Sequence, residues 1–200
     1  MSTIVEEVVE EIATTRPRHV LWTVEQYLRM IDEGLLTEDD KTELLNGNLV
    51  RKIPSNKPHD SAISFLQDYF TERYFKKYTL RSERAIRLSP DSMPEPDYVI
   101  AVYREDKYQK VWPSVPDILL LVEVSDATLA TDRGYKKQLH AGAGIEEYWI
   151  VNIPDQQIEV HLRPNVNTKH YASTQHYGQP DTFTSPFVGE VKVSDLLPLA

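Results

Sequence analysis

The stretch DILLLVEVS, residues 117–125, constrains the fold more than any other part of the chain. Its continuous apolar run is too short for a membrane span and reads as a central strand covered on both faces. Glu123 stands in the middle of that run. A buried carboxylate without a partner costs several kcal/mol or takes up a proton. The fold must therefore bring Glu123 a positive charge, either a metal ion or a buried Arg or Lys.

The segments on either side supply the rest of a mixed α/β (α+β) domain, a mixed, curved sheet flanked by helices. TVEQYLRMIDEG predicts a helix, with Thr23 and Gln26 as a capping box and Gly34 as the stop. Asn46-Gly47 between apolar residues predicts a hairpin. HDSAISFLQDYFTERYFKKY predicts an amphipathic helix with Ala62, Phe65, Leu66, Tyr69 and Tyr74 inward. TLRSERAIRL and PDYVIAVY read as strands, and residues 104–117 as a polar loop. DRGYKKQLHAGAG reads as a helix, and EEYWIVNI with QQIEVHLRP as a hairpin. Tyr148 and Trp149 are expected in the core. Residues 164–182 are expected to be a loop, and FTSPFVGEVKVSDLLPL to close the chain with a short strand. Residues 1–19 are expected to be a loosely attached arm and 20–200 one domain.

Composition narrows the function classes. Lys and Arg number 22 against 31 Asp and Glu, a formal net charge of −9. Such a balance argues against a general nucleic-acid binder, while leaving room for local basic strips or metal-bridged phosphates. The absence of cysteine excludes disulfides and thiolate zinc sites. No stretch is long and apolar enough for a membrane span. The acidic N-terminus lacks the basic start and apolar core of a signal peptide, so a cytoplasmic location is expected.

The chemistry lies in the carboxylates. Asp97 follows Pro94-Glu95-Pro96 and opens a strand, and Glu123 comes 26 positions later in the central one. Carboxylates on neighbouring strands can converge on one hard cation such as Mg²⁺ or Mn²⁺, which takes oxygen ligands. The helix that follows points the same way. At about 100° per residue, Tyr135, Leu139, Gly142 and Ala143 gather on one side, Lys136 falls roughly 75° from its centre, and Lys137 lies nearly opposite. Lys136 can thus lean over the end of the sheet near Glu123, or it can snorkel at the helix edge. Asp132 is expected to cap this helix. Arg81, Arg84 and Arg87 offer phosphate contacts, Arg84 on the opposite face from the other two.

TELLNGNLV, His59, PEPDYVI and LLLVEVSDATLATDRGYKKQLHAGAGIEEYWIVN, in that order, resemble the Uma-type restriction endonuclease family of the PD-(D/E)xK nuclease superfamily. The resemblance spans roughly residues 20 to 200. It implies a restriction-endonuclease-like core and Mg²⁺-dependent hydrolysis of DNA phosphodiester bonds. It makes Asp97 and Glu123 the two motif acids, with the Val124 carbonyl as a further metal ligand. Ser125 occupies the superfamily's usual lysine position, and Lys136 takes over that role from the helix. Glu43 matches the family's early glutamate, with a supporting metal or water-positioning role. His59 also matches, as a phosphate contact, a proton-transfer group or a helix-start residue. His140 stands where the family usually carries tyrosine. Restriction-type cleavage of both strands favours a homodimer. Two other classes remain open: a non-catalytic nucleic-acid-binding or regulatory module with a vestigial site, and a metal-free two-carboxylate glycosidase.

Overall fold

A computed structural model of the protein describes residues 19–197. All but the last residue of the expected N-terminal arm lies outside these described residues. Helix α1 (Val24–Asp32) starts at Thr23, whose hydroxyl accepts from the Gln26 amide while the Gln26 side chain accepts from Thr23. Strands β1 (Thr42–Leu45) and β2 (Asn48–Arg51) form the expected hairpin. Its turn residues, Asn46 and Gly47, have φ of 47° and 74°, the left-handed pair that a two-residue turn requires. Helix α2 (Lys57–Tyr74) is capped by the Asn56 side chain, which accepts from the His59 amide. Its buried face carries Ala62, Ile63, Leu66, Tyr69, Phe70 and Tyr74, whereas Phe65, expected inward, is exposed.

The main sheet has six strands in sequential order: β3 (Tyr78–Ser82), β4 (Tyr98–Val102), β5 (Ile118–Ser125), β6 (Glu147–Asn152), β7 (Gln157–Asn165) and β8 (His170–Gly178). The β5–β6 pair is parallel and the other pairs are antiparallel, so the sheet is mixed. A parallel neighbour needs a crossover. Here the crossover is a helical turn (Leu129–Thr131), a π-turn (Asp132–Lys136) and helix α3 (Lys137–Ala143). The chain closes with strands β9 (Thr182–Ser185) and β10 (Gly189–Lys192), a hairpin rather than the single short strand expected.

Strand alternation gives the sheet two different faces. Tyr98, Ile100, Leu120, Val122, Val124 and Trp149 pack against α2 and the β9–β10 hairpin. Val99, Ala101, Leu121, Tyr148 and Ile150 pack with Leu139 and Ile145 on the other face. Tyr148 and Trp149 are fully buried, as expected for core residues. Two expectations for this region are corrected. TLRSERAIRL is a ladder strand only as far as Ser82, after which the chain loops back. Residues 164–182 contain β8 instead of a loop: its polar residues alternate on an exposed edge strand, so no apolar face announces it in the sequence.

Candidate active site

The register between β4 and β5 pairs Tyr98 with Val122, so Asp97 comes opposite Glu123 one position further on. Both acids share a face with Val99 and Leu121, the face covered by the π-turn and α3. They line one cleft of about 640 Å³, together with Glu43, Asp132, Lys136 and His59. The sequence-predicted acids and Lys136 thus meet at the end of the sheet where β5 finishes.

Lys136 stands at the centre of this cluster. Its ammonium donates to Glu123 Oε1 at 3.1 Å and lies 3.8 Å from both Glu43 Oε1 and Asp132 Oδ1. Burial opposes its charge, but Glu123, Glu43, Asp132 and Asp97 outweigh burial and hold its pKa above the ordinary lysine value. Glu43 is fixed by accepting from the Glu95 amide at 3.1 Å. Burial pushes the carboxyl groups of Glu43 and Asp132 above their ordinary range; Lys136 opposes this and the charge on Glu123 adds to it. Asp97 Oδ2 accepts from the Val124 amide at 2.7 Å and faces His59 Nε2 at 3.3 Å. The hydrogen bond to Asp97 raises the His59 pKa against the opposing effect of burial. In an extended strand the N–H and C=O of one residue face the same neighbour, so the Val124 carbonyl also faces the Asp97 side. Arg84 is exposed at the rim, with Lys41 and Arg51 on the hairpin side.

Sequence reasoning missed two residues here. Asp132 does not cap a helix: it lies inside the π-turn, 1% exposed, with Oδ2 accepting from Ser125 Oγ at 2.7 Å. The signal was present, because on the same helical wheel Asp132 falls nearer the inward side than Lys136 does. His140 is fully buried, 3.7 Å from Glu123 Oε1, and both of its ring nitrogens lack hydrogen-bond partners. Burial lowers its pKa, which favours the neutral ring. Conversely Tyr135, expected inward, is exposed, and its hydroxyl reaches the Leu45 carbonyl of the hairpin. The π-turn fits an additional residue into one helical turn, which turns Tyr135 outward and His140 inward.

Among the described residues, no three His, Asp or Glu side chains stand in a ready-made ligating arrangement. The Lys136 ammonium lies between the carboxylates instead. The donor set nevertheless fits a hard divalent cation. Asp97, Glu123 and Glu43 line the cleft beside Lys136 and offer the ion carboxylate oxygens, the donors it takes.

The family model described as "Uma2: Putative restriction endonuclease" matches residues 24–199. No curated protein matches the sequence. Among solved structures, the chain is similar to a putative nuclease belonging to DUF820 from Anabaena variabilis ATCC 29413. The TM-score is 0.67 at 16% identity, over 87% of this chain and 96% of that one. That likeness establishes the shared fold. No helix among the described residues is long and apolar enough to cross a membrane.

Proposed function

From a chain that belongs to the Uma2 family, with its acids gathered around a helix-borne lysine, we propose a divalent-metal-dependent endonuclease that hydrolyses DNA phosphodiester bonds. The observation that carries this reading is the convergence of Asp97, Glu123 and Lys136 on one cleft, with the ammonium 3.1 Å from Glu123 Oε1. A metal-free pair of acids acting on sugars would leave this buried lysine without a role.

Asp97, Glu123 and the Val124 carbonyl would hold Mg²⁺ or Mn²⁺, with Glu43 beside them. When bound, the ion supplies Lewis acidity at the scissile phosphate. Lys136 directs its N–H groups toward the phosphoryl oxygens and offsets the negative charge that develops on them. His59 holds Asp97 in place through Nε2 and lines the cleft, where an imidazole can hydrogen-bond a phosphate oxygen or pass a proton to the leaving group. Arg84, Lys41 and Arg51 at the rim offer contacts to flanking phosphates.

The test is cleavage of supercoiled plasmid, linear duplex and single-stranded DNA, each with Mg²⁺, with Mn²⁺ and with a chelator. Metal-dependent nicking or cutting that disappears in Asp97→Ala is the expected outcome. Folded protein that cleaves none of these substrates, or cleaves equally in chelator, would overturn the proposal.

A further inference from the structure

Asp132 has no part in the ion-holding set proposed above, yet it is among the most constrained side chains in the cleft. Its Oδ2 is fixed by the Ser125 hydroxyl of β5 at 2.7 Å. Its backbone carbonyl accepts from the Tyr148 hydroxyl of β6 at 3.2 Å and from the Lys137 amide that closes the π-turn. Two neighbouring strands therefore fix one residue of the crossover. The remaining atom, Oδ1, is buried without a hydrogen-bond partner and faces Lys136 Nζ at 3.8 Å, one helical turn away.

This arrangement answers a problem that Lys136 poses. A lysine ammonium is a point charge on a flexible stem and is held only by fixed acceptors. Glu123 is its nearest acceptor, but Glu123 is also a proposed metal ligand, and its oxygens cannot serve both cations fully. Glu43 lies 3.8 Å away on the hairpin. Asp132 is carried by the same turn as Lys136, so its distance from the ammonium is independent of the hairpin's position.

We propose that Asp132 is a positioning residue: fixed by Ser125 and Tyr148, it keeps the Lys136 ammonium over the scissile phosphate once Glu123 is engaged elsewhere. This rests on the metal-dependent cleavage proposed above. Asp132 touches neither substrate nor ion and acts through Lys136.

The test uses Asp132→Asn, Lys136→Met, the double variant, and Asp97→Asn as a ligand control. DNA cleavage kinetics are measured at saturating Mn²⁺, with Mn²⁺ binding followed by calorimetry. Asp132→Asn should lower kcat by about 10- to 100-fold, leaving KM for DNA and Mn²⁺ affinity within about threefold of wild type. The double variant should be no slower than Lys136→Met alone, because a residue acting through another has nothing left to lose. Ser125→Ala, which frees Asp132 but keeps its charge, should show a smaller loss of kcat in the same direction, and it carries the test if Asp132→Asn does not fold. Wild-type kcat in both Asp132→Asn and Ser125→Ala would overturn the proposal, as would losses that add in the double variant. A fall in Mn²⁺ affinity as deep as that of Asp97→Asn would make Asp132 a ligand instead. If the wild-type protein cleaves no DNA, the cleavage reading fails first. The positioning contact is then judged by urea unfolding, where Asp132→Asn and Lys136→Met must still be non-additive; additive losses would overturn it.

Discussion

Replacing Glu147 with Gln should flatten the pH dependence of stability. Glu147 begins β6 and is fully buried. Its carboxylate accepts from Trp149 Nε1 at 2.8 Å and from Ser185 Oγ at 2.7 Å, which ties the C-terminal hairpin to the sheet. Burial outweighs both donors and lifts its pKa from 4.5 to about 7. Each pKa unit corresponds to about 1.4 kcal/mol, so ionising Glu147 costs the folded state about 3 kcal/mol relative to the unfolded chain. The folded pKa lies above the unfolded one. The associated stability is therefore fully present below pH 4.5 and is lost as pH rises through about 7. Gln does not titrate. Its single carbonyl oxygen satisfies one of the two donors, a cost of about 1–3 kcal/mol that is the same at every pH. Urea unfolding of both proteins across this range separates the two effects, because Glu43 and Asp132 titrate in both. Relative to wild type, the variant should gain about 3 kcal/mol between roughly pH 4.5 and pH 8. Parallel curves would refute the buried ionisation cost.

Lys136→Ala should abolish metal-dependent cleavage, while Lys137→Ala, outside the cleft lining, should stay within about threefold of wild type in the same assay. Because Lys136 is the counter-charge to Glu123, Glu43 and Asp132, its loss should also destabilise the metal-free protein, more at neutral pH than in acid, as thermal melts at two pH values would show. Gly47→Ala should lower stability by about 1–3 kcal/mol, since φ is +74° and a Cβ would meet Leu21 Cβ at 2.6 Å; an unchanged unfolding midpoint would show that the hairpin relaxes freely. Burial raises the pKa of Glu43, so this carboxylate sheds its proton as pH rises and the rise in melting temperature produced by Mn²⁺ should grow with it.

The parts of the fold that were legible in the sequence are those fixed locally. The apolar run of β5, the Asn46-Gly47 turn and the Thr23–Gln26 capping box each have one structural solution that needs no distant partner. Glu123 was legible for the opposite reason, because a charge in a buried strand demands a partner, and the helical wheel brought Lys136 toward it from the following helix. The edge strand β8 was not legible, since its residues His170 to Gly178 bury too little on either face to show a pattern. The helix phase was wrong where it assumed an α-helix. The π-turn at Asp132–Lys136 depends on tertiary anchors, chiefly the Tyr148 hydroxyl, which no spacing rule in the sequence contains. Asp132 was misassigned for a related reason: acids at helix starts are usually caps, and its true partner, Ser125, lies on a strand.

The most direct measurement is an anomalous-difference map from crystals grown with Mn²⁺ at pH 8. A peak between the carboxylates of Asp97 and Glu123, with the Lys136 ammonium displaced from Glu123 Oε1, is the predicted result. A map without a peak in this cleft at saturating Mn²⁺, with Lys136 still bonded to Glu123, would contradict the assignment of these residues as a cation site.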